Sequence, residues 1–265
     1  MTRIVAALVG LAVLLPAMIW GGTTAVEIIV PIAALLCMDE YARMAFPDDR
    51  PFATSLMTAL AAAVYGSVLY LGDRYGLLAC IGVVLVAMIS TVLRPGPIDR
   101  AADRFGRTLT GVAWVGGTFV FMPLLRRLDG GLAWVFMLLT IAWLSDTGGY
   151  FAGRFFGKHK LYEAISPKKT VEGYVGGMAL ATVGVGVVRQ IGLPDLSIID
   201  VVVLGVGLGT LGVIGDLAES MLKRSFGVKD SGTLLPGHGG LLDRVDAVLF
   251  VAPALYGYAV LVKGY

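Results

Sequence analysis

The segment from Ser220 to Asp246 carries most of the polar chemistry of an otherwise apolar sequence. It combines carboxylates, cations and a glycine-rich turn around a histidine: Lys223, Arg224, Lys229, Pro236, Gly237, His238, Gly239, Gly240, Asp243, Arg244 and Asp246. Carboxylate oxygens are the ligands that Mg²⁺ prefers, while cations and bare glycine backbone bind phosphate oxygens. This combination is typical of proteins that act on nucleotide phosphates.

Asp216 lies just before this segment, inside an apolar run. A charged side chain within a membrane span costs about 2.5–3.5 kcal/mol on insertion scales and therefore needs a reason. Glu219, Ser220 and Lys223 follow at helical spacing, so all four side chains share one face. One interpretation is internal pairing, Asp216 with Ser220 or Glu219 with Lys223. The other is a cation ligand at the membrane surface.

Asp243 and Asp246 favour the cation ligand. They are three residues apart at the start of the next apolar run and therefore point the same way. Acidic residues at a helix start also suit the helix dipole, which is the simpler explanation. Together with Asp216, however, they supply three hard oxygen ligands. We therefore predict that Asp216, Asp243 and Asp246 bind Mg²⁺, and we leave a second cation open.

A second polar region runs from residue 145 to residue 173 and is rich in cations. Its notable residues are Asp146, Gly148, Gly149, Arg154, Lys158, His159, Lys160, Ser166, Lys168, Lys169, Thr170 and Glu172. General attraction to anionic lipid headgroups explains the charge but not the interspersed acids and hydroxyls. Ser166 and Thr170 are suitable caps for a helix beginning near Lys168, whose N-terminus would bind an anion.

Two further features leave alternatives open. The glycines around His238 suit a phosphate-binding turn or a plain interfacial loop, and His238 either donates to a phosphate or shapes the turn. Asp39 and Glu40 lie near the end of an early apolar run. They either face the same cytoplasmic cavity as the other polar residues or pair with Arg43 at the membrane interface. We expect the pairing with Arg43.

The composition identifies the class of protein. The 265 residues are 57% hydrophobic and 15% charged, with a mean hydropathy of +0.82, far from the values of soluble domains. We predict an all-α, polytopic integral membrane helix bundle of about nine transmembrane helices. The candidate spans are roughly 4–20, 24–45, 54–71, 75–93, 108–125, 131–152, 172–190, 198–222 and 245–262.

The distribution of charge predicts the orientation. With nine spans, 16 of the 21 Lys and Arg residues fall on the side of the N-terminus. Because cytoplasmic loops carry the excess of Lys and Arg, the N-terminus and both polar loops are expected in the cytoplasm and the C-terminus on the opposite side. Glycines at 205, 209, 212 and 215 indicate close helix packing rather than catalysis.

The polar residues, in this order, resemble the signature of the phosphatidate cytidylyltransferases, also called CDP-diacylglycerol synthases, of the bacterial type. The matching positions are Ser220, Leu222, Lys223, Arg224, Lys229, Asp230, Gly232, Leu235, Pro236, His238, Gly239, Gly240, Leu241, Asp243, Arg244, Val245 and Asp246. The upstream block from residue 145 to residue 173 is also similar, although Val171 stands where many members have an aromatic residue. The resemblance covers residues 140–250; residues 1–130 match in hydropathy alone.

The resemblance implies that CTP and phosphatidate react to give CDP-diacylglycerol and pyrophosphate for phospholipid biosynthesis. It implies a catalytic set of Asp216, Lys223, Arg224, Asp243, Arg244 and Asp246. It also implies a substrate-binding set of Asp146, Ser166, Lys168, Lys169, Lys229, His238, Gly239 and Gly240. The expected location is the bacterial cytoplasmic (inner) membrane, as a single membrane domain over 1–265 with its catalytic core in 140–250.

Three other classes of protein share some of these sequence features. A transporter or channel also carries intramembrane acids, but its sites lie near the bilayer midplane, whereas these charges gather at one face. The CDP-alcohol phosphotransferases also use aspartates at a membrane surface, but their aspartates are spaced differently. Here Asp243 and Asp246 are separated by only two residues, so that motif is not matched. A structural scaffold has no need of this chemistry. We expect no nucleic-acid partner and leave a homodimer open.

Overall fold

The fold is a bundle of long apolar helices. This computed structural model describes residues 15–94, 96–234 and 239–265. That part of the chain contains eight helices long and apolar enough to cross a membrane: α1 Gly22–Ala45, α2 Arg50–Leu71, α3 Arg74–Leu93, α4 Ile98–Arg127, α5 Gly131–Phe156, α6 Val171–Gly192, α7 Ile198–Ser225 and α8 Leu242–Val262. The predicted all-α membrane fold is confirmed. The first predicted span, residues 4–20, falls mostly outside the described residues.

α5 forms the centre of the bundle and α3 its edge. Trp134, Val135 and Leu138 of α5 are fully buried, whereas α3 exposes large apolar side chains such as Leu77 and Val92. In water such exposure would be unfavourable, but lipid is as apolar as leucine and removes that penalty. The exposed apolar surface therefore marks the side of the bundle that faces lipid.

Glycines allow the helices of the second half to pack closely. A Cβ on Gly148 of α5 would lie 2.6 Å from the backbone oxygen of Gly176 in α6. In α7, a Cβ on Gly209 would contact Met178 of α6, and one on Gly215 would lie 3.0 Å from the backbone oxygen of Asp246 in α8. The packing role predicted for the α7 glycines is thus confirmed, and the contacts are within the chain.

A short antiparallel hairpin connects α5 to α6. Its strands are β1 Lys160–Tyr162 and β2 Ser166–Thr170. The prediction of a helix beginning near Lys168 was wrong, because the segment around Pro167 is extended and pairs with β1. The helix begins at Val171, and the hydroxyl of Thr170 caps it by accepting from the Gly173 N–H at 3.1 Å.

Local irregularities interrupt four of the spans. The last turn of α2, the middle of α4, the early part of α7 and the end of α8 are π-helical, over Ser67–Leu71, Gly111–Gly116, Val203–Leu208 and Tyr258–Val262. The start of α4 is a 3₁₀ turn at Ile98–Arg100 followed by a polar helix from Ala101 to Thr110. This polar start explains why the predicted span, 108–125, was shorter than α4.

Ion pairs hold the end of the bundle opposite the hairpin. Arg127 at the end of α4 lies 2.7 Å from Glu27 of α1. Lys263, just beyond α8, lies 2.9 Å from Asp200 near the start of α7, and Tyr258 also donates to Asp200. These contacts fix one end of the bundle, while the candidate site lies at the other.

Candidate active site

The predicted polar residues converge where five helices end or begin. The ends of α1, α5 and α7, the starts of α6 and α8, the hairpin and the segment 226–241 meet on the same side of the bundle. A close contact between α7 and α8 at Gly215 brings the helix that carries Asp216 against the helix that carries Asp246. The fold therefore gathers residues that are up to 202 positions apart in the sequence.

Lys223 is buried between two carboxylates. Its Nζ lies 2.6 Å from Oε2 of Glu219 and 2.5 Å from Oδ1 of Asp243. Glu219, one turn earlier on α7, is 1% exposed. A buried ammonium is stable only when it is paired and hydrogen-bonded. The predicted Glu219–Lys223 pairing is thus present, and Asp243 joins it from α8.

The second oxygen of Asp243 organises the preceding segment. Oδ2 accepts hydrogen bonds from Ser231 N at 3.0 Å, Ser231 Oγ at 2.9 Å and Gly240 N at 2.8 Å. Gly239 has a φ of +80°, which favours glycine, and a Cβ there would lie 2.6 Å from the same Oδ2. Asp243 therefore shapes the glycine-rich segment as well as fixing Lys223.

Asp216 links α7 to the hairpin. Its Oδ2 lies 2.5 Å from Nζ of Lys169, and its Oδ1 accepts from Ser220 Oγ at 3.3 Å. The side chains of Lys169 and Asp216 remain about a quarter exposed, so a ligand can reach them. The two polar regions of the sequence thus form one site, and the alternative Asp216–Ser220 pairing is also present.

Three aspartates at this end of the bundle lie within electrostatic range of one another. Asp246 is buried, and its Oδ1 accepts from Ala247 N at 2.7 Å. Its charge interacts with those of Asp216 and Asp146, and the charge of Asp146 also interacts with that of Lys169. Hard carboxylate oxygens of this kind suit a divalent cation that completes its shell with water and phosphate.

The structure does not assemble the three predicted metal ligands into one tight cluster. Across residues 15–94, 96–234 and 239–265, no group of three or more His, Cys, Asp or Glu side chains is placed to hold a metal ion. Asp243 is directed toward Lys223 and Ser231 instead. Asp216 also pairs with a lysine, Lys169, but its side chain is 25% exposed, whereas that of Asp243 is 6% exposed. A divalent cation could therefore reach Asp216 more readily than Asp243.

A cavity of about 220 Å³ opens between α5, α6 and the hairpin. Asp146, Lys168 and Lys169 supply its charge, and Tyr150 and Tyr174 supply aromatic surface. Sites for whole drug-sized ligands are usually about 300–1,000 Å³. This cavity therefore matches part of a nucleotide, such as its phosphates, better than a whole one.

A sequence model described as the cytidylyltransferase family matches residues 1–262. The chain belongs to the cytidylyltransferase family. Among its relatives, a phosphatidate cytidylyltransferase of Staphylococcus haemolyticus is 34% identical over 256 residues, 96% of each chain. One of Staphylococcus aureus is 35% identical over 262 residues, again 96% of each chain. One of Bacillus subtilis is 41% identical over 155 residues, 58% of each chain.

The remaining predicted residues of this family member differ in their surroundings. Lys168, Arg224 and Lys229 are exposed, and Arg224 donates to the Val228 carbonyl at 2.9 Å. Arg244 is exposed, and its charge interacts with that of Asp146. Ser166 lies on β2, paired with Tyr162 rather than capping a helix, so the structure does not place it at a helix start. His238 lies outside the described residues, whereas Gly239 and Gly240 contact Asp243.

Sequence reasoning missed one residue of this site. Asp39 pairs with Arg50 at 2.5 Å and with Arg43 at 3.6 Å, as expected of a surface acid. The expectation that Glu40 also pairs with Arg43 was wrong. Glu40 is 3% exposed and accepts hydrogen bonds from Ser231, Leu241 and Leu242. Arg43 is the cation nearest to it in sequence, so local spacing favoured the wrong partner. A carboxylate inside an apolar helix was the one available signal.

Proposed function

We propose that this protein transfers the cytidylyl group of CTP to phosphatidate, giving CDP-diacylglycerol and pyrophosphate for phospholipid biosynthesis. The observation that carries the proposal is the Lys169–Asp216 contact, which joins the basic hairpin to the acidic end of α7. Phosphate-binding cations and cation-binding carboxylates thereby share one site at the end of a membrane bundle. The names of relatives that match 96% of the chain support the same reaction.

The reaction requires positioning more than proton transfer. A phosphate monoester has a second pKa of about 6 and is largely dianionic at neutral pH. A phosphatidate oxygen attacks the α-phosphorus of CTP, a new phosphorus–oxygen bond forms, and the bond to the β-phosphate oxygen breaks as pyrophosphate leaves. The protein must hold these anions in line and compensate their charge.

The exposed and cavity-lining cations would supply that compensation. Lys168 and Lys169 line the cavity and suit the triphosphate. Arg224, Lys229 and Arg244 are exposed on the α7–α8 side, where they would attract phosphates of either substrate. The backbone of Gly239 and Gly240 lies beside Asp243 and offers close approach to a phosphate, and His238 and Ser166 stay in the proposed substrate-binding set.

Asp216 and Asp246 would hold Mg²⁺, with Asp146 adding negative charge nearby. When bound, the cation would neutralise the phosphate oxygens of CTP and the departing pyrophosphate. Asp243, the third proposed ligand, would join them only by exchanging its contact with Lys223. In this structure, Asp243 and Lys223 instead connect α7 to α8.

The substrate's acyl chains would stay in the bilayer while its headgroup enters at the end of the spans. The protein is a multi-pass membrane protein, and the excess of Lys and Arg on the side of the site favours a cytoplasmic active site. CTP is then supplied from the cytoplasm. We propose the bacterial cytoplasmic membrane as its location, with the N-terminus in the cytoplasm and the C-terminus on the opposite side.

The decisive experiment uses detergent-purified protein with CTP, phosphatidate and Mg²⁺, and follows both CDP-diacylglycerol and pyrophosphate. Reactions without phosphatidate, with diacylglycerol in its place, or with ATP in place of CTP are the controls. Equal amounts of both products, formed only with phosphatidate and CTP, are expected. A folded protein that releases pyrophosphate without forming the liponucleotide, or forms neither, would contradict the proposal.

A further inference from the structure

Glu40 connects the N-terminal half of the chain to the candidate site. Its Oε1 accepts a hydrogen bond from Leu241 N at 3.0 Å, and its Oε2 accepts from Leu242 N at 2.9 Å and from Ser231 Oγ at 3.2 Å. These partners are 191 to 202 residues away in the sequence. The carboxylate is 3% exposed, so its interactions are with protein rather than solvent.

The Glu40 carboxylate caps the N-terminus of α8. The first N–H groups of a helix have no partner within the helix, and a negative charge there is favourable. The residue before α8, Leu241, has no side chain able to cap it. Glu40, which lies on α1, therefore accepts hydrogen bonds from the backbone N–H groups at the start of α8.

The glycine-rich segment is shaped around the same carboxylate. A Cβ on Gly232 would lie 2.6 Å from Oε1 of Glu40. A Cβ on Gly240 would overlap Oε2 of Glu40 and the hydroxyl of Ser231. The bare backbone at two signature positions thus makes room for Glu40, in addition to any approach to phosphate.

The hydroxyl of Ser231 lies within hydrogen-bond distance of both Glu40 and Asp243. Its hydroxyl oxygen lies 3.2 Å from Glu40 Oε2 and 2.9 Å from Asp243 Oδ2, and its N–H donates to Asp243. The hydroxyl has one proton, so it donates to one carboxylate at a time. The two acids are therefore linked by one fully buried side chain, and Asp243 continues the chain of contacts to Lys223.

We infer that Glu40 is a positioning residue for cytidylyl transfer, holding the start of α8 and, through Ser231, the carboxylate of Asp243. The inference rests on the proposed function. It gives the N-terminal spans a specific part in the site without placing Glu40 in contact with substrate.

The test replaces Glu40 by Gln in the full-length protein and measures kcat, KM for CTP and phosphatidate, and thermal unfolding. Gln keeps the size but presents an amide NH₂ to one of two backbone N–H groups, so one bond is lost. We expect kcat to fall about 10- to 100-fold, the effect typical of removing a supporting hydrogen-bond partner of a site residue. Both KM values should change little, and the thermal midpoint should fall by only a few degrees.

Asp39→Asn is the matched control, because Asp39 is adjacent but pairs with Arg50 and Arg43. These contacts do not involve Ser231 or the start of α8, so the kcat of Asp39→Asn should stay within about fivefold of the wild type. Ser231→Ala should also lower kcat, and its effect combined with Glu40→Gln should be smaller than the product of the single effects.

The outcomes separate the two proposals. An unchanged kcat in Glu40→Gln, or a loss equal to that of Asp39→Asn, would overturn the inference while wild-type turnover upholds the function. If Glu40→Gln does not fold, a wild-type kcat in Ser231→Ala overturns it. A wild-type protein that makes no CDP-diacylglycerol would overturn the function and the inference together.

Discussion

The ammonium of Lys223 lies 2.5 Å from Oδ1 of Asp243 and joins α7 to α8 at the centre of the candidate site. Glu219 lies 2.6 Å from the same nitrogen, so one buried cation serves two carboxylates. Within the part of the chain that the structure describes, Oε1 of Glu219 accepts no hydrogen bond. The cluster of Glu219, Lys223 and Asp243 therefore has two carboxylates for one ammonium, and both contacts of Lys223 help to hold the three side chains together.

The first prediction concerns Asp243. Asp243→Ala would leave the Ser231 N–H and the Gly240 N–H without their acceptor, and Lys223 would keep only its contact with Glu219. Removing one partner of a buried ion pair typically costs about 3–5 kcal/mol. We expect turnover to be abolished and the thermal midpoint to fall clearly.

Thermal unfolding in detergent and the product assay check this prediction, with the exposed Glu163→Gln as a control for handling. A stable but inactive Asp243→Ala would mean that the Lys223 contact contributes little to folding. A stable and active variant would remove Asp243 from the site altogether.

The second prediction compares two neighbouring lysines. Lys169 pairs with Asp216 at 2.5 Å, whereas Lys168 is exposed at the cavity. Lys169→Met removes the cation that is paired with Asp216 and leaves this carboxylate facing Asp146 and Asp246, so kcat/KM for CTP should fall at least about tenfold. Lys168 is exposed, and water screens its attraction to the triphosphate, so Lys168→Met should lower kcat/KM for CTP by at most about fivefold. Steady-state kinetics at fixed salt measure both, and equal effects would contradict the distinction.

The third prediction concerns the divalent cation. A chelator should stop turnover, and added Mg²⁺ should restore it. Asp246→Asn and Asp216→Asn should each raise the Mg²⁺ concentration needed for half-maximal rate about 10- to 100-fold, because each removes a charged oxygen ligand. A Mg²⁺ titration of each variant provides the measurement. A half-maximal concentration equal to that of the wild type would exclude that residue as a ligand.

The fourth prediction uses two glycines of α7. A Cβ on Gly215 would lie 2.9 Å from Phe250 and 3.0 Å from the Asp246 carbonyl, whereas a Cβ on Gly207 would meet nothing within 4 Å. Gly215→Ala should push α7 from α8, separate Asp216 from Asp246 and cost about 1–3 kcal/mol of stability.

Gly207→Ala, in the same helix, should be neutral or stabilise by at most about 1 kcal/mol. Thermal unfolding and kcat of the two variants test the pair. If Gly215→Ala matched Gly207→Ala in both, close packing at Gly215 would not position the aspartates.

The eight described spans were predictable because long apolar runs have few other uses. The predictions were wrong in two places, where a polar segment is helical and where an expected helix start is extended. The polar residues 101–107 at the start of α4 continue the span, although their composition suggested a loop. Around Pro167 the lysine-rich segment forms a strand, because pairing with β1 outweighs the capping pattern.

The sequence predicted most of the residues that meet at the candidate site, but not how they pair. Asp216, Asp243 and Lys223 could be chosen from residue type and spacing. That Lys169 reaches Asp216, or that Lys223 sits between Glu219 and Asp243, depends on how the helices pack. Glu40 shows the limit most clearly, because its partners lie about 200 residues away and a local partner was available.

The distance in sequence between Glu40 and its partners has a consequence for biogenesis. Glu40 is synthesised and inserted with α1, whereas Leu241 and Leu242 follow only after α2 to α7. Until α8 arrives, the carboxylate lacks these two backbone donors, and an unsatisfied acid at a span end is unfavourable. Insertion of the last span therefore completes the capping of that acid, and a nascent chain halted before α8 would expose it to the quality-control machinery of the membrane.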